Sequence, residues 1–221
     1  MDERERRLAI LREKVLEYSL RMSRSGMAPS TWGNISALDR GSGVVAITPS
    51  GMEYDSLTPS DICLLDLEGA AVEIGRKPST ETALHLAVYA LKPEVGAVVH
   101  THSVYATAFA CARREIPVVN ATLAAVVGGR VPVAPYAAPG TRELGLGAVN
   151  AMGGRPAVLL AAHGVLAVGS DLRAAYTVAE IVEDAARIAC LAGMLGAQVE
   201  LDAAETARIR TEYLRNYGQG E

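Results

Sequence analysis

The chain has 221 residues, half of them hydrophobic, with a formal net charge of −4 and three cysteines. That is long enough for one large domain with a sizeable core and too apolar for disorder. The weak acidity excludes a basic nucleic-acid face or attraction to an anionic membrane.

The cysteines, Cys63, Cys111 and Cys190, are odd in number and far apart. They match neither a disulfide framework nor a Cys-rich zinc site, so each is expected to be a small buried hydrophobe in a reducing cytoplasm. The first seven residues are densely charged, unlike a signal peptide. Residues 4–25 place Leu8, Leu11, Val15, Tyr18 and Met22 on one helical face, with Gly26 as a stop. Residues 31–36 read as a polar, glycine-containing stretch. Val44–Ile47 reads as a strand, residues 48–51 as a turn and residues 62–67 as another strand. Pro78 opens a helix that Ser79 or Thr80 can cap, with Glu81 in its first turn; the helix stops before Pro93. The apolar run 95–99 predicts a buried strand, followed by a helix over Val104–Ala112. Short strands near 118–119 and 131–134 lead to a helix over 141–152. A strand over 157–162 follows, with 165–168 continuing extended. The stretch 157–168 is interrupted by His163 and is too short to span a bilayer. Helices over 171–195 and Ala203–Asn216 close the chain. With no repeat or linker, the alternation predicts a single α/β domain over residues 1–221, three layers thick.

Two of the four histidines stand at His100 and His102, just after the 95–99 strand. Residues i and i+2 share a face of a strand, so two imidazoles are expected side by side. His163 sits at the end of another apolar strand, beside Gly164. Three histidine ligands with one open position are the pattern of catalytic zinc. Such ligands protonate below about pH 6, so activity is expected to fall there. Glu81 is the candidate base. His85, one turn later on the same helix face, either orients Glu81 or packs, packing being the plainer reading. The pair lacks the first histidine of a zincin HExxH motif. Gly33-Asn34, Ser50-Gly51 and Ser79-Thr80 each offer backbone N–H groups with a hydroxyl or amide, as phosphate sites do and as ordinary turns also do.

These stretches together resemble a known family. Residues 31–36, 47–51, 78–89 (PSTETALHLAVY), 98–103 (VVHTHS), 131–144 (VPVAPYAAPGTREL), 161–164 and 213–218 are similar to the class II, zinc-dependent aldolases of the fuculose-1-phosphate aldolase and ribulose-5-phosphate 4-epimerase superfamily, to which the adducin head also belongs. The resemblance runs along nearly the whole chain. It implies a central, largely antiparallel sheet flanked by helices, and a homotetramer with sites between subunits. It implies Zn²⁺ on His100, His102 and His163, with Mn²⁺, Co²⁺ or Fe²⁺ as alternatives. Glu81 corresponds to the family's acid/base, which can also approach the metal. Gly33, Asn34, Ser50, Gly51, Ser79 and Thr80 correspond to the substrate-phosphate pocket. Tyr217 corresponds to a C-terminal tyrosine that covers the site.

The resemblance is nearest to fuculose-phosphate aldolase, and the implied reaction is reversible cleavage of an L-fuculose-1-phosphate-like ketose 1-phosphate to dihydroxyacetone phosphate and an aldehyde through a metal-stabilised enediolate. Two departures concern the aldehyde. Ala121 stands where fuculose-phosphate aldolases carry a proton-donating tyrosine, and Pro139 where they place an aromatic residue. Aldolases for 5-deoxyribulose or methylthioribulose phosphates are therefore the alternative, with a 4-epimerase or a sugar-phosphate dehydratase behind them. The epimerase branch tends to carry Asp at the position of Glu81, which favours an aldolase. An adducin-like binding module without the histidine triad is the non-enzyme alternative. The expected partners are a phosphorylated sugar and an aldehyde, with neither nucleic acid nor membrane.

Overall fold

The computed structural model describes residues 2–218. Seven strands run in the order β1 (Asn34–Asp39), β2 (Val44–Ile47), β3 (Cys63–Leu65), β4 (Ala97–Thr101), β5 (Val133–Ala134), β6 (Ala157–Leu160) and β7 (Gly164–Gly169). The helices are α1 (Glu3–Arg24), α2 (Thr82–Leu91), α3 (Val104–Ala112), α4 (Ala121–Val127), α5 (Arg142–Met152), α6 (Leu172–Met194) and α7 (Ala203–Asn216). The strands form one sheet in the order β3-β2-β1-β4-β7-β6-β5, and each neighbouring pair is antiparallel except β5–β6. The expected three-layer, largely antiparallel architecture is present.

Alternation along the strands divides the core in two. Ile35, Ala37, Val99, Leu159 and Ala167 join a cluster with Val15 and Met22 of α1 and Ala179 and Val182 of α6. Val98, Val158, Leu160, Leu166 and Val168 point the other way and pack with Leu84 and Val88 of α2 and Leu144 and Ala148 of α5. A strand buried on both faces reads as a continuous apolar run, which is why β4 and β6 are visible in the sequence.

Several elements differ from the sequence reading. Residues 34–39 form β1 rather than an irregular stretch. Its second face carries Asn34 and Ser36, both buried, so polar residues stand where a core strand would show hydrophobes. Residues 118–119 form no strand; the nearby pairing is a single bridge between Ile116 and Val131. Between them lies α4, started by the Asn120 side chain accepting from the Leu123 N–H at 2.8 Å and ended at Gly128. Residues 165–168 do not continue β6. They fold back as β7 in a tight hairpin, Leu160 opposite Gly164. Of the cysteines, Cys63 is buried, Cys190 half-buried and Cys111 exposed, so the expectation of three buried hydrophobes holds for one.

Two contacts set the positions of the elements around the ends of β4 and β7. At the start of α3 the Glu183 carboxylate from α6 accepts from the Tyr105 and Ala106 N–H groups at 2.9 and 2.8 Å. This satisfies two free helix donors and places a negative charge at the helix's positive end. On the opposite face α2 and α5 touch so closely that a Cβ on Gly145 would lie 2.6 Å from the Ala87 Cβ. Helix propensity alone would make Gly145→Ala stabilising by about 1 kcal/mol. Overpacking costs about 1–3 kcal/mol and wins here, because the clashing group sits in the middle of a facing helix. Gly145→Ala is expected to lower the urea midpoint, and Ala87→Gly in the same chain to restore part of it.

Candidate active site

The end of β4, the β6–β7 hairpin and the start of α2 meet at one point. Asn34 of β1 stands opposite His100 of β4, and His100 opposite Leu166 of β7. His100 therefore points to the α2–α5 face. His102 lies just past the strand, its N–H donating to Met27 O at 3.1 Å. His163 sits in the hairpin after Ala162, whose φ of 55° is left-handed. Gly164 makes the approach possible, because a Cβ there would lie 2.3 Å from Thr101 O. Gly33 has φ 94°, and its Cβ would lie 2.9 Å from His100 O. Both positions need glycine because backbone presses directly on backbone.

Glu81 is the N-cap residue of α2, not a first-turn residue, and its side chain makes no capping bond. Instead the Ser79 hydroxyl accepts from the Glu81 N–H at 3.2 Å. The carboxylate is free to turn inward. Its Oε2 lies 2.9 Å from His100 Nε2, and its Oε1 3.3 Å from His163 Nε2. His100 Nε2 is 3.0 Å from His102 Nε2. One ligand atom from each of these four residues falls within 4.8 Å of the others.

The arrangement suits a divalent cation. Zn–N distances of about 2.0–2.1 Å imply tetrahedral edges near 3.3 Å, close to the separations found here. His100 Nδ1 donates to Val165 O at 2.8 Å, which leaves Nε2 as the lone-pair atom facing the group. Glu81 Oε1 is buried without a hydrogen-bond partner, as an oxygen reserved for a cation or a proton would be. His163 Nδ1 is likewise unpartnered, so that ring is held by packing and by its hairpin.

Burial opposes charge on the rings. It pushes His102 down to about 3 and His163 to about 4, with the His100 ring adding to both effects. Burial alone would raise the Glu81 carboxyl, but His100, His163 and the Asn34 amide outweigh it and hold the group well below the carboxylate range. For His102 and His163 the expected loss of ligand function near pH 6 therefore moves to lower pH.

The three small polar clusters converge. Ser50 N–H donates to Lys77 O at 2.9 Å and Ser79 N–H to Thr48 O at 3.1 Å, which clamps the 48–51 turn against the start of α2. Gly33, Asn34, Ser50, Gly51, Ser79 and Thr80 line one cavity of about 160 Å³ together with Glu81, His102 and His163. Trp32 and Pro139 line it too. Trp32 is 63% exposed, with its ring centroid 5.7 Å from that of His102. The sequence reading passed over Trp32; its place beside Gly33 was the available signal.

Tyr217 is not brought to this cavity within the chain. It shares a separate hollow with Val168, Gly169 and Ser170, at the end of β7 remote from His163. Five residue steps of strand separate the ends, about 17 Å. Ala121 opens α4 and is exposed. His85 does more than pack: it is fully buried and hydrogen-bonded at both ring nitrogens, to Ser36 Oγ at 2.7 Å and Asn34 Oδ1 at 2.6 Å. Burial, with a smaller contribution from His100, pushes it down to about 3.

The family described as Class II Aldolase and Adducin N-terminal domain matches residues 13–190. A 5-deoxy-D-ribulose 1-phosphate aldolase of Bacillus thuringiensis serovar kurstaki is 43% identical over 177 residues, covering 80% of this chain and 83% of the relative. An L-ribulose-5-phosphate 4-epimerase of Salmonella paratyphi C is 34% identical over 219 residues, 94% of this chain and 95% of its own. Among solved structures, an L-fuculose 1-phosphate aldolase superposes with a TM-score of 0.89 at 38% identity, covering 92% of this chain and 96% of that one. Among the described residues no helix is long and apolar enough to cross a membrane.

Two outcomes test the cage. His100→Ala removes its central nitrogen, so bound metal measured by elemental analysis should fall from about one per chain to near zero. Separately, His102 and His163 have folded values below the ordinary 6.5, so the unfolded chain binds more protons below that pH. Stability of the metal-free protein should therefore be full above 6.5 and decline as pH falls towards 4, read from the thermal midpoint. From these residues and their arrangement, the chain belongs to the Class II Aldolase and Adducin N-terminal domain family.

Proposed function

We propose that the protein is a metal-dependent aldehyde-lyase that reversibly cleaves a ketose 1-phosphate to dihydroxyacetone phosphate and an aldehyde. The observation that carries the proposal is the shared cavity, where Glu81, His102 and His163 of the three-histidine, one-carboxylate cage meet six small residues of phosphate-binding type. Its volume, about 160 Å³, is well below the roughly 300–1,000 Å³ of pockets for drug-sized ligands. That suits a three-carbon phosphate better than a nucleotide.

In this reading the Ser50, Ser79 and Thr80 hydroxyls and nearby backbone N–H groups hold the phosphate at the positive end of α2. His100, His102 and His163, with Glu81 at hand, would hold Zn²⁺, or Mn²⁺, Co²⁺ or Fe²⁺. Such an ion supplies Lewis-acid polarisation of a carbonyl oxygen, several kcal/mol of charge stabilisation. Glu81 handles the proton. In cleavage the hydroxyl on the fourth carbon gives its proton to water, the bond between the third and fourth carbons breaks, and the fourth carbon leaves as the aldehyde. The electron pair enters an enediolate, and Glu81, first protonated from solvent, gives that proton to the third carbon; in condensation the ionised Glu81 removes it and a water protonates the new hydroxyl. An ionised carboxylate with one unpartnered oxygen is prepared to accept that proton.

For the aldehyde half, the chain favours a small or apolar partner over a fuculose-type one. Ala121 cannot donate a proton to an aldehyde oxygen, and the 43%-identical relative is a 5-deoxyribulose-phosphate enzyme. The same reading takes the enzyme to be cytoplasmic, in keeping with three free cysteines. It also takes the enzyme to be a homotetramer with sites between subunits. Tyr217 then serves a neighbouring subunit's site, since its own lies at the other end of β7.

Incubation of the zinc-loaded protein with dihydroxyacetone phosphate and a panel of aldehydes, followed by mass detection, should give a condensation product with acetaldehyde at least as readily as with lactaldehyde. Glu81→Gln should retain metal and lose turnover by about 10²–10⁴-fold. No product with any aldehyde, together with conversion of L-ribulose 5-phosphate to its epimer, would replace the aldolase reading with the epimerase one.

A further inference from the structure

Behind the cage runs a line of hydrogen bonds that no step above uses. Tyr89 Oη lies 2.7 Å from Ser36 Oγ, and Ser36 Oγ lies 2.7 Å from His85 Nδ1. His85 Nε2 lies 2.6 Å from Asn34 Oδ1, and Asn34 Nδ2 donates to Glu81 Oε2 at 3.1 Å. All five residues are buried: Tyr89 5%, Ser36 0%, His85 0%, Asn34 5% and Glu81 6% exposed. The line follows from the fold. Asn34 and Ser36 are alternate residues on one face of β1, and His85 is one helical turn beyond Glu81.

The direction of the line is fixed by counting protons. The Tyr89 phenol has Ser36 Oγ as its partner, so it donates there. Ser36 must then give its own proton to His85 Nδ1. A neutral ring accepting at Nδ1 carries its proton on Nε2, and that proton goes to Asn34 Oδ1. The amide is thereby oriented with its NH₂ towards Glu81. The opposite flip would set a carbonyl oxygen against a carboxylate oxygen at about 3 Å, with repulsion barely screened in a buried site.

We propose that His85 is a positioning residue for Glu81. By fixing the Asn34 amide, it holds carboxylate oxygen Oε2 and leaves Oε1 as the oxygen that exchanges the proton. Oε1 is the buried atom without a hydrogen bond, while Oε2 has Asn34 and the His100 ring beside it. The proton-transfer part of this proposal rests on the aldolase reading; the order of the hydrogen bonds does not. His85 does not line the cavity and reaches it only through the Asn34 amide, whose NH₂ faces Glu81, so its loss should slow proton transfer while the Ser50, Ser79 and Thr80 hydroxyls still hold the phosphate.

The test has two arms on the zinc-loaded protein. Long-range proton–nitrogen correlation in the ¹⁵N-labelled protein should show His85 as the Nε2–H tautomer. Solvent deuterium exchange into dihydroxyacetone phosphate, followed by NMR, reads Glu81 without any aldehyde. His85→Leu should lower the saturated exchange rate by about 10–100-fold, as losses of such outer partners do, with metal content unchanged. The KM for dihydroxyacetone phosphate should stay within about twofold. His85→Gln, which can place an amide N–H where Nε2 was, should recover most of the rate. Ser36→Ala removes one oxygen atom and should give an intermediate loss; it carries the test should His85→Leu not fold. A wild-type exchange rate in folded His85→Leu or in Ser36→Ala, equal losses in the Leu and Gln variants, or an Nδ1–H tautomer would each overturn the proposal. A wild-type protein that shows the Nε2–H tautomer but exchanges no deuterium would instead overturn the aldolase reading.

Discussion

Four groups that prefer water, two of them buried and two half-buried, stand within 4.8 Å of one another, and the surrounding structure is arranged around that constraint. Burial disfavours charged imidazoles, and a lone buried carboxylate would disfavour itself. A cation at the centre resolves both costs, since it needs neutral rings and an ionised carboxylate. Binding of such an ion is then also folding energy, because the unfolded chain cannot preform the cage. The backbone yields to the same requirement. Gly33 and Gly164 exist so that main chain can press against the end of β4, and Ala162 accepts a left-handed φ to turn His163 inward. Backbone strain of this kind persists where the surroundings over-determine it, as the paired strands β4, β6 and β7 do here.

An antiparallel sheet explains why these residues can be so far apart in sequence. The end of β4, the start of β7 and the beginning of β1 lie at one edge because neighbouring strands run in opposite directions. Asn34, His100 and His163 thus meet without a long loop. The start of α2 is brought to the same edge by the bridge between Pro49 and Pro78, so the phosphate-type residues and the cage share a wall. Helix N-termini attract anions, and Glu81 at the N-cap of α2 does not use its side chain for capping. The Ser79 hydroxyl accepts the Glu81 N–H, and the carboxylate is left to turn towards His100 and His163.

Most of this was readable from residue order, for identifiable reasons. Strands β4 and β6 are buried on both faces and show as apolar runs, and α6 and α7 fall close to the ranges expected of them. His100 and His102 declared themselves by i, i+2 spacing. What stayed hidden did so because polar function overrides pattern. The site-facing side of β1 is Asn34 and Ser36, which reads as loop. The seven-residue α4 is too short for a period to register beside its Asn120 cap. His85 looked like a packing residue because its partners, Ser36 and Asn34, lie 49 and 51 residues away. The neutrality of His102 and His163 was equally invisible, since composition carries no burial and burial is what sets it.

The aldehyde end is governed by different physics from the phosphate end. On the proposed function the phosphate meets the 33–34, 50–51 and 79–80 pairs, which line one cavity within a single chain. Discrimination among aldehydes needs a group matched to a substituent. A site that hydrogen-bonds a hydroxyl rejects the analogue lacking it strongly, whereas an apolar wall separates neighbours by only about 1–3 kcal/mol. On this chain the group lying open beside the cage is Trp32, an apolar ring, and Pro139 is apolar as well. Ala121 carries no hydroxyl and does not line this cavity. On the proposed function, that combination favours an aldehyde ending in a methyl group over one ending in a hydroxyl. It is also tolerant, because a wall of this kind gains little from any one methyl group and loses little without it.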